Sequence, residues 1–212
     1  MAKYPVFLEL DSRRAVVVGG GKVAMRKVQS LLAAGARVVV VGKKIDETLV
    51  ELCQKNNAEL IKSKYLKEYL AGAVIVIAAT NNSELNKQIY KDCQTLEILC
   101  NAVDEPELCD FFVPAIVQRG DLQIAIGTQG CCPAYAGHLR KKLEKVITED
   151  HGRFLNELGT LREKIIHSLP ESINRKALLG HLVDEESFKY FIENGPDAWR
   201  QRSQKMIDEY QG

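Results

Sequence analysis

Apolar residues in the first half of the chain come in short continuous runs rather than in alternation. Residues 15–18 (AVVV), 38–41 (VVVV) and 73–80 (AVIVIAAT) each read as a strand buried on both faces, which points to a parallel sheet covered by helices. The shorter runs AELIKS, EILCNAV and LQIAIGT extend that series, and VFLEL at residues 6–10 reads as a half-buried strand. Between the runs the period lengthens. Residues 22–34 place Val23, Arg26, Lys27, Ser30 and Leu31 at helical spacing and stop at Gly35. A short helix is expected at residues 66–70 and a longer one at about 83–93.

The pattern changes after Gly130. Pro133 suits the first turn of a helix with Leu139, Leu143, Val146 and Ile147 on one side and Arg140, Lys141, Lys142 and Lys145 on the other. Beyond it only helical periodicity is visible, through Leu155, Leu158, Leu161, Ile165 and Ile166, with a break at Pro170. A last helix, DEESFKYFIENG, opens at a capping Asp184 and ends at Gly195. The expected architecture is an α/β domain with helices on both faces of a parallel sheet, followed by a helical C-terminal region.

Composition narrows the function classes. With 46% hydrophobic residues in 212, the chain can bury a large core. Lys and Arg (29) nearly balance Asp and Glu (28), so nothing in the net charge of +1 points to nucleic acid or an anionic membrane, and an acidic ligand would be met by local charge. The six cysteines, Cys53, Cys93, Cys100, Cys109, Cys131 and Cys132, include no C-x-x-C pair and no metal-ligand spacing, and read as reduced thiols. No leader pattern or membrane-length apolar run is evident, so a cytoplasmic protein is expected.

The candidate chemistry begins at AVVVGGGKVAMRK, where Gly19-x-Gly21-x-x-Ala24 joins a buried strand to a helix. Gly19 would permit the tight turn, Gly21 would let the backbone approach a pyrophosphate, and Ala24 would keep the helix close to the sheet. Free N–H groups of Lys22 and Val23 at the helix start would attract the phosphates. A ligand-free strand–helix turn is the alternative. The acidic residue that usually holds the adenosine ribose is missing: after the second strand the chain reads VVVVGKKIDE, with Gly42 at that position. Lys43 and Lys44 are either solvated loop charges or contacts for a 2′-phosphate, and Asp46 is a further candidate for the ribose.

Several blocks together resemble the sirohaem-synthase N-terminal family, which includes precorrin-2 dehydrogenases. They are VFLELDSRRAVVVGGGKVAMRKVQSLLAAGARVVVV, AATNNSELN, CNAVDEPELCDFFVPAIVQRGDLQIAIGT and CCPAYAGHLRKKLE, and they cover roughly residues 1–150. The resemblance implies a Rossmann-like NAD-binding domain at residues 1–112, a linking, dimerisation and substrate-site segment at 113–150, and a helical C-terminal domain at 151–212. It implies NAD-dependent oxidation of precorrin-2 to sirohydrochlorin, with iron insertion into sirohydrochlorin as an added activity in some members, and a homodimer. A dinucleotide-sensing module without chemistry is the competing class.

The resemblance also assigns residues. Asp104, in NAVDEP, matches the family's catalytic aspartate, where the residues alone allow a turn-forming Asp. Thr80 and Asn81, in ATNN, are placed to meet the ribose or nicotinamide half, or to cap the helix at Ser83. Asn101 and Val103 are similarly placed. A tetrapyrrole bearing many carboxylates needs cations, for which Arg119, Arg140, Lys141 and Lys142 are candidates, Arg119 and Arg140 foremost, although charges on a helix also serve as its solvated face. Thr128 matches a substrate-side hydroxyl, or is a helix-entry residue. No metal site is assigned. The chain departs from the family at GTQG, where STGG is common, and at Cys131-Cys132, which read as small packing residues or as a thiol activated at a helix start.

Overall fold

The computed structural model describes residues 3–168 and 172–211. Two compact units follow one another along the chain, Met1–Val113 and Pro114–Gly212. In the first, five parallel strands stand in the order β3-β2-β1-β4-β5, made of β1 (Arg14–Val18), β2 (Arg37–Val41), β3 (Glu59–Ile61), β4 (Ile75–Ala78) and β5 (Leu99–Ala102). Helices α1 (Lys22–Ala33), α2 (Glu47–Lys55) and α3 (Ser83–Thr95) connect them, with a short 3-10 turn at Lys67–Leu70.

The continuous apolar runs are explained by coverage on both faces. Ala15, Val17, Val38, Val40, Ile75 and Ile77 pack against Ala24, Val28 and Leu31 of α1 and Leu49 and Cys53 of α2. Val16, Val18, Val39, Val41, Val76 and Cys100 meet Ile89 and Cys93 of α3 and Leu70 on the opposite face. Each fully buried Val or Leu contributes about 1.5–3 kcal/mol relative to an exposed one. The face α1 buries is Ala24, Val28 and Leu31 rather than the stripe through Val23 and Ser30.

Residues 6–10 form no strand. Val6, Phe7 and Leu8 are 60%, 70% and 44% exposed and only Leu10 is buried. Alternation makes a strand only where a neighbour takes its backbone hydrogen bonds, and this segment is instead tied by the Arg13 N–H to Leu10 and the Ser12 N–H to Gly35. LQIAIGT does form a strand, but outside the parallel sheet. Strand β7 (Leu122–Ile126) pairs antiparallel with β6 (Ala115–Arg119) through a two-residue Gly120-Asp121 turn, in which Gly120 takes φ 56°.

The second unit adds helices α4 (Pro133–Val146), α5 (Glu149–Ser168), α6 (Ser172–Leu182) and α7 (Glu185–Gln211) to that hairpin. Phe154, Leu161 and Ile165 of α5 pack with Leu178, Leu182, Phe191, Trp199 and Ile207. The Trp199 indole donates to Ser187 Oγ at 2.8 Å, so its polar edge is satisfied inside the core. Asp184 caps α7 by accepting the Ser187 N–H at 2.8 Å. Gly195, at φ 82°, interrupts that helix just before Pro196. Val146 is 66% exposed rather than on a buried stripe, and Cys131 and Cys132 are exposed rather than packed. The break at Pro170 lies outside the described residues. Among the described residues no helix is long and apolar enough to cross a membrane.

Candidate functional site

Strand order places β1 and β4 side by side, with the chain leaving their C-terminal ends toward opposite faces of the sheet. This is the crevice in which open α/β sheets bind ligands. A cleft of about 680 Å³ opens there, lined by the glycine turn 19–21, by Gly42–Asp46 after β2, by Ser63–Tyr65 after β3 and by Ala79–Asn81 after β4.

The three glycines have three different reasons. Gly19 takes φ 136°, and a Cβ there would stand 2.2 Å from the Ala79 carbonyl oxygen. A Cβ on Gly20 would stand 2.1 Å from the Lys44 carbonyl oxygen, because the loop after β2 folds onto the turn and the Asp46 N–H donates to the Gly20 C=O at 2.9 Å. A Cβ on Gly21 would meet nothing within 4 Å. The first two positions are bare so that the protein can close on itself, and the third faces open space.

Helix α1 starts in that space. Gly21 is its N-cap, no side chain caps it, and its first turn carries the basic Lys22 and no acidic residue. A cation beside the positive end of a helix is unfavourable unless an anion offsets both. The free N–H groups, the adjacent ammonium and the open position at Gly21 fit a diphosphate. Helices α2 and α3 differ: Asp46 accepts the Thr48 N–H and Asn82 accepts the Leu85 N–H, each at 3.0 Å. A hydrogen bond from the Thr48 hydroxyl, and after it the one from the Thr48 N–H, holds the Asp46 carboxyl below the usual carboxylate range and commits it to capping. Lys43, Lys44 and Lys64 surround the same end of the cleft. Tyr65 donates its hydroxyl to Asp92 at 2.9 Å; burial, then this bond, pushes the phenol up.

Of the residues expected at the cofactor, Gly19, Gly21, Lys22, Val23, Gly42, Lys43, Thr80 and Asn81 line the cleft. Ala24, Asn101 and Val103 are not among the lining residues. Ala24 is fully buried between α1 and the sheet. The Asn101 amide donates to the Phe111 carbonyl at 2.9 Å, and Val103 packs in the core on the α1 side. The cap of α3 is Asn82, not Thr80 or Asn81. Gly20, Ser63, Lys64 and Tyr65 were not singled out by motif spacing; only Gly20 had a signal, as the middle of three consecutive glycines.

Ala78 of β4 pairs with Ala102 of β5, so Thr80 and Asp104 each stand two residues past a paired position on neighbouring strands. Asp104 sits in a turn closed by the Glu105 N–H on the Ala102 C=O at 3.3 Å. Its φ of 64° costs about 1 kcal/mol or more for a side chain other than glycine. The carboxylate is exposed and accepts no hydrogen bond from the described chain. Lys27 of α1 is within electrostatic reach; burial and Arg26 push its ammonium down, while Cys109 and Asp104 oppose the shift.

Thr128, Arg119 and Arg140 belong to the second unit. Thr128 follows β7 and accepts the Cys131 N–H at 2.9 Å through its carbonyl. Arg119 Nη2 donates to the Glu144 carbonyl at 3.1 Å, and its Nε faces Glu149 Oε1 at 3.2 Å without hydrogen-bond geometry. Arg140 pairs with the Glu144 carboxylate. A Cβ on Gly152 would stand 2.5 Å from the Arg119 carbonyl, so α5 approaches the hairpin backbone closely.

Sheet order, glycine turn and uncapped helix together define a dinucleotide-binding α/β unit. A family model described as putative NAD(P)-binding matches residues 6–115, just over half the chain, and the chain belongs to that family. It is similar to siroheme synthase of Psychrobacter sp. (strain PRwf-1), 36% identical over 176 residues covering 83% of this chain and 36% of the relative. It is also similar to siroheme synthase 3 of Aeromonas hydrophila, 36% identical over 194 residues covering 92% of this chain and 42% of the relative. The chain thus spans about two fifths of the length of these relatives. The solved structure of SirC, precorrin-2 dehydrogenase, superposes with a TM-score of 0.79 at 24% identity, covering 96% of this chain and 100% of that one, and shows a shared fold.

Proposed function

We propose that the chain oxidises precorrin-2 to sirohydrochlorin with NAD, as one step of sirohaem synthesis. The observation that carries this reading is the uncapped start of α1 at the β1–β4 crevice, with the exposed Asp104 carboxylate two residues past the paired end of β5. The names of its relatives supply the substrate class. When bound at the glycine turn, a nicotinamide cofactor would supply the hydride acceptor. The N–H groups at Gly21–Val23 and Lys22 hold the diphosphate, Thr80 and Asn81 orient the far half, and Ala24 keeps the helix seated. Asp104 takes the macrocycle proton that leaves with the hydride, so the removal of two hydrogens balances. Asn101 and Val103 shape the β5 end behind it.

Thr128, Arg119 and Arg140 form the substrate side of the proposal, with Arg140 exchanging Glu144 for a substrate carboxylate. Residues 1–112 bind the cofactor, 113–150 carry the substrate and dimer contacts, and 151–212 complete a cytoplasmic homodimer. Purified protein with precorrin-2 and NAD should yield sirohydrochlorin and NADH; absence of turnover under conditions where a known dehydrogenase works overturns the reading. Sedimentation at micromolar concentration tests the dimer, and a monomer alone refutes it.

Two further readings have their own support. The relatives are named for the iron-bearing product, which favours an added metal-insertion activity, separable by supplying sirohydrochlorin and ferrous iron and subtracting the spontaneous rate. Three lysines at the ribose end, with Asp46 turned to Thr48, favour acceptance of NADP; parallel titrations of NAD and NADP decide it.

A further inference from the structure

A chain of side-chain hydrogen bonds joins the ends of β4 and β5. Thr80 Oγ1 donates to Asn86 Oδ1 at 2.6 Å, Asn86 Nδ2 donates to Glu105 Oε1 at 2.9 Å, and Ser83 Oγ donates to Glu105 Oε2 at 2.9 Å. Asn86 Nδ2 also reaches the Thr80 carbonyl at 3.3 Å. Asn86 is 2% exposed, so its carboxamide depends on these partners. The network is not needed to start α3, because Asn82 already caps that helix.

One end of this network is Thr80, at the cleft; the other is Glu105, next to Asp104. The turn carrying Asp104 holds a left-handed conformation at that residue, which persists only where the flanking contacts fix it. Glu105 supplies such contacts through both carboxylate oxygens. We infer that Asn86 and Glu105 are positioning residues that clamp the Asp104 turn in register with Thr80, and so hold the proton acceptor at a fixed place relative to the bound dinucleotide. The inference rests on the dehydrogenase reading above.

The test uses the full chain with Glu105→Ala, Asn86→Ala and Glu105→Gln, and Asp104→Ala as the reference. Glu105→Ala and Asn86→Ala should lower kcat about tenfold to a hundredfold, as misplacement of a catalytic group does, while NAD affinity and the KM for precorrin-2 stay within about threefold. Glu105→Gln, which keeps an acceptor for Asn86 and a donor for Ser83, should recover most of kcat. Hydrogen exchange needs no substrate: amides of residues 103–109 should exchange faster in Glu105→Ala than in the parent. Unchanged kcat or unchanged exchange in Glu105→Ala overturns the inference, as does a loss of NAD binding in proportion to kcat. If Asp104→Ala abolishes turnover and Glu105→Ala does not, the clamp alone falls; if Asp104→Ala keeps the full rate, the assignment of Asp104 falls and the clamp with it.

Discussion

Helices α1, α2 and α3 leave the same end of one sheet, yet they begin differently. Asp46 and Asn82 fold back onto the first N–H groups of α2 and α3, and α2 and α3 each add an acid in the first turn. Helix α1 has neither, and has Lys22 instead. Among the three helices of the sheet only α1 lacks a side-chain cap; outside it, α4, which opens at Pro133, lacks one too. The internal caps of α2 and α3 are each worth about 1 kcal/mol, and in the proposed reading a bound diphosphate takes that place at α1.

The largest effect expected from probing this contrast is at Gly20. Gly20→Ala places a methyl against the Lys44 carbonyl, and should cost about 3 kcal/mol, read as a lowered denaturation midpoint, with dinucleotide binding lost alongside. Gly21→Asp should separate the two properties. The position is open and extended, so an aspartate there caps α1 as Asp46 caps α2, raising stability by about 1 kcal/mol. Its charge should weaken NAD binding more than tenfold, measured by titration. Asp104→Gly removes the strain of φ 64°, and should stabilise the fold by about 1 kcal/mol while abolishing turnover. The smallest effect is at Asn82→Ala, which should cost about 1 kcal/mol through the lost cap and leave NAD affinity unchanged.

How much of this was legible in the sequence depended on whether the determining contact was local. The strands of the sheet were readable because burial on both faces demands unbroken apolar runs, as at residues 16–18 and 75–78. The alternating VFLEL misled because its pattern implied a partner strand that the sheet does not provide. β7 was found but misplaced, since a strand's own residues do not say whether its neighbour is parallel. At the cleft, Gly19 and Gly21 followed from spacing, whereas the need for Gly20 comes from a carbonyl on the next loop, 24 residues away in Lys44. The Asn86–Glu105 bond joins positions 19 apart in the chain, and no periodicity announces it. Arg119 and Arg140 were legible as cations, but their engagement with Glu144 was not.

The single tryptophan of the chain, Trp199, is buried in the second unit with its indole bonded to Ser187. Its emission therefore reports on the core of the segment from Pro114 onward, and the residues before it carry no tryptophan. Reduced-dinucleotide fluorescence covers the other half, so the two halves of the molecule can be watched separately in one cuvette as denaturant is added. Whether they melt together or in sequence becomes a direct optical readout, with no label introduced.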